Sequence, residues 1–293
     1  MRKMKQINSG GASSISDKFR GYSEYWNTDK NIILPVRSYI SFYICPRKFY
    51  YSAIEGKSEK SFNMSIGLIK HRILIKDYYE LLEDLIESLN YTRSLNNFMF
   101  LWQNKISEIC TEQNIPKDIV EKINNSVLKR WVRDRERIEF MLFNKTTINE
   151  IKKIILPFAK EYYFSSKDIA VSGRIDIIFQ KNNTFTVEEI KTGNSPKNEP
   201  WFTDKLQVVF YSIALERIFH KNCNKGTIYY LDANKAYSFK IDDELRKYAK
   251  DLRDKCISYY LRRVFPQGKK TLLCNSCCFN SFCKGEHNEY NNR

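Results

Sequence analysis

The sequence predicts an α/β fold in which a helical segment precedes a core that contains a sheet. Between about residues 64 and 143, apolar side chains recur at three- and four-residue steps, which is the helical period. After Ile151 the pattern changes to short stretches rich in β-branched and aromatic residues, interrupted by two further helical stretches. The order helices, strands, helix, strand, helix is typical of an α/β arrangement.

Domain boundaries follow from the composition along the chain. Residues 1–30 are polar and basic and contain Gly10-Gly11 beside a serine-rich run, so we expect a flexible basic arm there. We expect the remaining residues, 31–293, to form one domain. Its parts are a helical subdomain at about 64–150, an α/β core at about 151–265 and a cysteine cluster at 274–283.

Two apolar stripes mark helices of the helical subdomain. The first consists of Leu74, Tyr78, Leu82, Leu85 and Leu89. The second recurs at steps of four and consists of Ile119, Ile123, Val127 and Trp131. Pro116 is suited to open the helix that carries the second stripe.

The core segment is predicted to contain four strands and two helices. β-Branched and aromatic enrichment places the strands at 153–164, 168–180, 184–192 and 226–232. Helical periodicity predicts helices at about 201–220 and 242–264.

The charge balance indicates the kind of partner. Lys and Arg number 49 against 34 Asp and Glu, a net charge of +15, which suits a polyanion such as nucleic acid. A merely soluble basic protein or a membrane-surface protein would also fit. The sequence has neither a run of roughly 18 apolar residues nor a secretory signal, so we expect no membrane span and a cytoplasmic location.

A predicted hairpin brings two carboxylates together. Asn182-Asn183 is suited to a two-residue turn, and antiparallel pairing then joins residues whose numbers sum to 365. This register places Asp176 opposite Glu189, with Cβ atoms roughly 5 Å apart. Lys191 points the same way, whereas Glu188 faces away and receives no role. Alternation also predicts one shared apolar face, formed by Val171, Ile175, Ile177 and Phe179.

Two adjacent carboxylates repel each other unless a cation lies between them. A hard divalent metal with oxygen ligands would remove the repulsion, and such an ion can polarise a phosphodiester. Lys191 beside it could orient a water molecule and stabilise developing charge. The alternative is an ordinary surface hairpin with a cross-strand Glu–Lys pair.

Four cysteines form a second candidate metal site. Cys274, Cys277 and Cys283 are clustered, and Cys45 lies far upstream. Four thiolates suit either tetrahedral zinc or an iron–sulfur cluster, and the spacing alone leaves both open. Cys278 is an alternative to Cys277. The isolated cysteines are expected to be buried small hydrophobes: Cys110, Cys223 and Cys256.

The motifs in their order resemble those of the PD-(D/E)XK nucleases of the RecB branch. Gly173-x-x-Asp176 and Glu189-x-Lys191 are followed by Gln207-x-x-x-Tyr211 on a helix. The resemblance implies a restriction-endonuclease-like core, a central mixed sheet flanked by helices. It also implies that Gln207 and Tyr211 steady the active site and the nucleic acid, and that His71 is an upstream metal ligand.

The cysteine arrangement is similar to that of iron–sulfur RecB-like nucleases, most of all the CRISPR-associated RecB-like exonuclease, the fourth Cas family. The resemblance implies a 4Fe–4S cluster on Cys45, Cys274, Cys277 and Cys283. It further implies Mg or Mn held by His71, Asp176, Glu189 and the Ile190 carbonyl. The expected activity is exonuclease cutting of single-stranded DNA or overhangs during prespacer processing, with the CRISPR integrase complex as partner.

Two departures and two alternatives accompany this resemblance. The basic arm is an addition to the compact form of the family it resembles, and the helical stretch near 76–150 is longer than is usual in that family.

One alternative function is that of a recombination or replication nuclease. It would act with a helicase in trans, since the chain has no Gly-x4-Gly-Lys-Ser/Thr motif. The other is a non-catalytic DNA-binding subunit. Candidate phosphate contacts are Lys70, Arg72, Arg174 and Lys205.

Overall fold

The computed structural model describes most of the domain. The described residues are 32–57, 62–89, 95–113, 115–192, 194–263, 265–267 and 272–283. The basic arm predicted at 1–30 lies outside them.

Within the described residues, the strands form one mixed sheet of six strands. β3 pairs with β2 and β4 antiparallel and with β1 parallel, β4 pairs with β5 parallel, and β5 pairs with β6 antiparallel. The strands are β1 (Leu34–Pro35), β2 (Ala159–Ser166), β3 (Val171–Lys181), β4 (Thr184–Lys191), β5 (Asn222–Tyr230) and β6 (Lys235–Lys240).

The helices lie on both sides of this sheet. None of those in the described ranges combines the length and the apolar character that a bilayer crossing requires. They are α1 (Val36–Ile44), α2 (Pro46–Phe49), α3 (Phe62–Arg72), α4 (Tyr78–Ser88), α5 (Phe98–Gln113), α6 (Lys117–Phe143), α7 (Ile148–Ile155), α8 (Phe202–Phe219) and α9 (Asp243–Arg262).

Two apolar clusters cover the two faces of the sheet. One joins α1, α8 and α9 to the sheet and includes Tyr39, Val187 and Leu206. The other joins the four helices α4, α5, α6 and α7 to the opposite face and includes Trp131 and Ile190. A mixed sheet between two helical layers is the α/β arrangement that the sequence predicted, which is therefore confirmed.

Three elements differ from the sequence prediction. The strand predicted from residue 153 is wrong at its start, because Lys153 to Ile155 belong to α7. That helix begins with a capping box, in which the Thr147 side chain accepts from the Glu150 amide and the Glu150 side chain accepts from the Thr147 amide. Because a short apolar run fits either a helix or a strand, the cap rather than the run decides the structure. The short strand β1 and the edge strand β6 were not predicted.

The single apolar face predicted for β3 is also wrong. Val171 and Ile175 pack in the cluster beside α8, whereas Ile177 and Phe179 pack on the opposite side of the sheet. The alternation of side chains along β3 therefore shifts by one residue between Ile175 and Ile177.

The irregularity behind this shift lies at Asp176. The ladder between β2 and β3 has the same register on both sides but no pair between Glu161 and Asp176. Glu161 adopts a left-handed backbone conformation with φ of 46°, which is uncommon for a residue other than glycine. Such an interruption re-aims a side chain, in the manner of a β-bulge.

Candidate active site

From the turn to Ile177 the hairpin has the predicted register, but the predicted pair of Asp176 with Glu189 is not part of the ladder. Pairs run from Lys181 with Thr184 at the turn to Ile177 with Glu188, and all sum to 365. Beyond Ile177, the carboxylate of Asp176 takes the place of the backbone ladder, because its Oδ2 accepts a hydrogen bond of 2.8 Å from the Ile190 amide. The Asp176 side chain is thereby held against the segment of β4 that carries Glu189.

Glu189 is buried and has two different oxygens. Its Oε1 accepts hydrogen bonds from Lys191 Nζ at 3.0 Å and from Gln207 Nε2 at 2.7 Å. Its Oε2 is buried and has no hydrogen-bond partner among the described residues. A buried carboxylate oxygen without a partner is costly, so this atom indicates where a cation or a proton belongs.

Helix α8 holds this end of the site in place. Gln207 accepts from Lys191 Nζ at 2.7 Å and donates to the Tyr211 hydroxyl at 2.9 Å. Gly173 allows the helix to lie close to β3, because a Cβ there would come within 2.9 Å of the Tyr211 ring. The structure therefore brings Lys191, Gln207 and Tyr211 together as the sequence pattern suggested.

His71 enters the site from α3. Its Nε2 lies 2.8 Å from Asp176 Oδ2. Burial lowers the pKa of His71, but the hydrogen bond and charge of Asp176, with the charge of Glu189, outweigh burial, so the pKa is raised. The carboxylates of Asp176 and Glu189 therefore favour the protonated form of this imidazole.

The electrostatics of Glu189 and Lys191 follow from their burial. Desolvation, followed by the charge of Asp176, raises the pKa of Glu189 from 4.5 to about 8. Burial lowers the pKa of Lys191, but Glu189 and Asp204 outweigh it, so the pKa of this amine is raised. Lys191 therefore acts as a cation and hydrogen-bond donor rather than as a base.

These residues fit a hard divalent cation in their chemistry, although they do not form a closed cage. Among the described residues, no three His, Cys, Asp or Glu side chains are placed together as metal ligands would be. The fit rests on Glu189 Oε2, an unpartnered oxygen beside a second carboxylate. Oxygen donors of this kind are what Mg and Mn prefer.

The sequence pattern missed Asp204, which lies at the edge of this site. Its Oδ1 is 3.6 Å from Lys191 Nζ, and its Oδ2 accepts a hydrogen bond of 2.7 Å from the Tyr230 hydroxyl. Asp204 precedes Gln207 by three residues on α8, so helical spacing could have identified it.

Glu188 faces away from the site, as predicted, but it has a partner that the sequence did not reveal. Its carboxylate accepts a hydrogen bond of 2.8 Å from the buried Arg130 of α6. The Arg130 guanidinium also lies over the ring of Tyr229. This pair ties α6 to the strand that carries Glu189.

The candidate phosphate contacts have different surroundings. Lys70 is buried and its Nζ forms an ion pair with Asp232 at 3.0 Å, so it is not available at the surface for the phosphate contact that the sequence suggested. Lys205 pairs with Glu199 at 2.5 Å. Arg72 and Arg174 are exposed.

Of the four predicted cluster cysteines, Cys45 lies close enough to Cys283 to affect the pKa of the Cys283 thiol. Burial raises the pKa of the Cys283 thiol, contacts with Tyr51 and Arg47 lower it, and the nearby Cys45 raises it, with a net increase. Cys274 and Cys277 share a turn in which the Cys277 amide donates to the Cys274 carbonyl at 3.2 Å. The ligand set itself stays a prediction.

Aromatic packing joins the segment after Cys45 to the C-terminal cysteine segment. The Tyr51 ring lies 5.7 Å from Phe279 and 5.8 Å from Phe282 between centroids. Arg47 Nε donates to the Pro266 carbonyl at 3.0 Å. The C-terminal segment that carries the cysteines therefore packs against the segment that follows Cys45.

Comparison with known proteins adds a family and one curated relative. The family model of the PD-(D/E)XK nuclease superfamily matches residues 36–284. A CRISPR-associated exonuclease Cas4/endonuclease Cas1 fusion of Leptospira interrogans serogroup Icterohaemorrhagiae serovar Lai (strain 56601) is 28% identical over 135 residues. That match covers 43% of this chain, which spans only 24% of the relative.

Two solved structures are also similar. A Eubacterium rectale protein provisionally named an exonuclease aligns with a TM-score of 0.47 at 14% identity, covering 92% of this chain and 94% of that one. The protein SSO0001 aligns with a TM-score of 0.29 at 16% identity, covering 72% of this chain and 94% of that one.

Proposed function

Because the chain belongs to the PD-(D/E)XK nuclease superfamily, we propose that it is a metal-dependent DNA exonuclease with Asp176, Glu189 and Lys191 as its catalytic residues. The observation that carries this assignment is the buried, unpartnered Oε2 of Glu189 beside Asp176. A structural hairpin would have little reason to bury two carboxylates side by side.

In this proposal, Asp176, Glu189, His71 and the backbone carbonyl of Ile190 hold a Mg or Mn ion. When bound, the ion polarises the scissile phosphodiester and lowers the pKa of a water molecule. The Lys191 ammonium orients the attacking water and stabilises the negative charge that develops on the phosphate.

The remaining site residues act by positioning. Gln207 bonds both Lys191 and Glu189, so it fixes the ammonium relative to the carboxylate. The Tyr211 hydroxyl accepts from Gln207 and limits its rotation. Burial and the charge of Glu189 raise the pKa of Tyr211, so its hydroxyl stays protonated.

The substrate and pathway belong to the same proposal. We propose that the protein cuts single-stranded DNA or overhangs during prespacer processing, with the CRISPR integrase complex as its partner. The net charge of +15 and the Cas4/Cas1 name of the Leptospira relative support this assignment. Action with a helicase in trans remains the alternative within the same superfamily.

A cutting assay tests the activity and reports its polarity. Wild type in Mn should shorten single-stranded DNA labelled at either the 5′ or the 3′ end, and the labelled products reveal the direction. Asp176→Ala and Lys191→Ala should each cut at least about a hundredfold more slowly. Glu139→Ala, at an exposed ion pair on α6, is the matched control and should cut normally. DNA binding without cutting by wild type would instead favour a non-catalytic subunit.

A 4Fe–4S cluster on Cys45, Cys274, Cys277 and Cys283 completes the proposal. Its support is the influence of Cys45 on Cys283 and the packing of Tyr51 against the cysteine segment. Protein purified without oxygen should be brown and contain iron. Cys283→Ser should lose the colour, whereas Cys110→Ser should keep it. Colourless protein that carries zinc would contradict the cluster.

A further inference from the structure

Trp201 lies at the edge of the active site and is fixed to it through its backbone. Its amide donates to the Tyr230 hydroxyl at 3.1 Å, and that hydroxyl donates to Asp204 at 2.7 Å. Asp204 in turn lies 3.6 Å from the Lys191 ammonium. Two hydrogen bonds and one ion pair therefore separate the Trp201 backbone from a proposed catalytic residue.

The indole of Trp201 is unusually open. It is 54% exposed, whereas Trp102 and Trp131, the other tryptophans that the structure describes, are 0% and 3% exposed. Within the described part of the chain, no aromatic ring or cation is found stacked on Trp201, in contrast to Trp131, which stacks on Phe98. A large apolar side chain is thus exposed to solvent at a residue whose backbone is linked to the active site.

Three aromatic side chains from α8, α1 and α9 form a cluster that begins at the residue after Trp201. Phe202 follows directly in the chain, and its ring lies 5.5 Å from Tyr43 and 5.3 Å from Tyr248 between centroids. These three side chains are partly exposed. We call Tyr43, Trp201, Phe202 and Tyr248 the aromatic rim.

We propose that the aromatic rim, in which the Trp201 backbone is linked to the active site, stacks the unpaired bases that flank the scissile phosphate. This inference rests on the proposed function and names the side chains that would hold the unpaired strand. Every base has a π-face, so stacking on aromatic side chains holds a strand without reading its sequence. Paired bases already stack on their neighbours, so a duplex end would have to open before it reached Trp201.

An abasic scan tests the rim. Full-length protein in Mn cuts a series of single-stranded oligonucleotides in which one abasic site is moved along the strand. For wild type, an abasic site at the position that stacks on Trp201 should raise KM roughly five- to a hundredfold. The value of kcat should change little, because the stacked base does not react.

Trp201 variants identify the partner of that base. Trp201→Ala should raise KM for the intact strand by the same factor and should abolish the abasic effect, whereas Trp201→Phe should retain most of both. Phe143→Ala is the matched control, because this aromatic side chain is 86% exposed at the end of α6. It should leave KM and the abasic effect unchanged.

Three results would overturn the rim. They are a wild type that is insensitive to every abasic position, a Trp201→Ala variant with the wild-type abasic effect, and a Phe143→Ala variant that also loses the effect. If Trp201→Ala does not fold, Trp201→Phe and the wild-type scan decide the question. A wild type that cuts no DNA would overturn the proposed function and the rim with it, whereas normal cutting without abasic sensitivity would overturn the rim alone.

Discussion

In the proposed mechanism, a proton and a metal ion compete for the buried carboxylate of Glu189. Desolvation and the neighbouring Asp176 raise the pKa of this carboxyl from 4.5 to about 8. Between these two values, the folded metal-free protein binds a proton that the unfolded chain releases, so this group makes the fold less stable as pH rises from about 5 to 8. His71, whose pKa is also raised, must likewise lose a proton to ligate a metal.

Metal binding should therefore strengthen with pH. We expect Mn to raise the melting temperature, measured against EDTA, by more at pH 8 than at pH 6, because at pH 8 fewer protons must be displaced. Glu189→Gln should show a small Mn effect at both values. An Mn effect of equal size at pH 6 and pH 8 in wild type would contradict the competition.

The approach of α8 to β3 depends on Gly173, an element-scale feature of the site. A Cβ there would lie 2.9 Å from the Tyr211 ring and 3.2 Å from Phe164. Gly173→Ala should cost about 1–3 kcal/mol of unfolding free energy and slow cutting, because displacement of Tyr211 releases Gln207. Ser172→Ala, one residue earlier on β3, is the control. Wild-type melting and cutting by Gly173→Ala would show that the helix approach is not limiting.

The helical layer is tied to β4 by the buried pair of Arg130 and Glu188, which are 2.8 Å apart. Arg130→Ala leaves an uncompensated buried carboxylate and should destabilise the fold by about 3–5 kcal/mol in urea unfolding. Replacing both partners, Arg130→Met with Glu188→Leu, should cost much less.

The exposed pair of Arg135 and Glu139 provides the contrast, since it lies on the same helix at 2.7 Å. Arg135→Ala should change the unfolding free energy by at most about 1 kcal/mol. If Arg130→Ala and Arg135→Ala had equal effects, the buried pair would not be what joins the two layers.

Local features of the site could be predicted from the sequence, and long-range ones could not. The turn at Asn182-Asn183 sets the register of the hairpin, and Asn182 adopts the left-handed backbone, with φ of 53°, that such turns require. The shift at Asp176 depends on β2, and no local pattern reveals it. The partner of Glu188 lies 58 residues away on α6, so alternation could predict the direction of this side chain but not its contact.

On the scale of the whole molecule, the site lies where three parts of the chain meet. His71 comes from α3, Asp176 and Glu189 come from the sheet, and Gln207 comes from α8. The cysteine segment packs on the region after Cys45, next to α1. A change that destabilises either helical layer should therefore displace the site residues that this layer holds in position.

The measurement that tests the central claim most directly compares Mn binding with single-turnover cutting in the same variants. Lys191→Ala should bind Mn with nearly wild-type affinity and cut at least about a hundredfold more slowly, because it removes the orienting cation but no ligand. Asp176→Ala should lose both Mn binding and cutting. Wild-type cutting rates in both variants would contradict an active site formed by Asp176, Glu189 and Lys191.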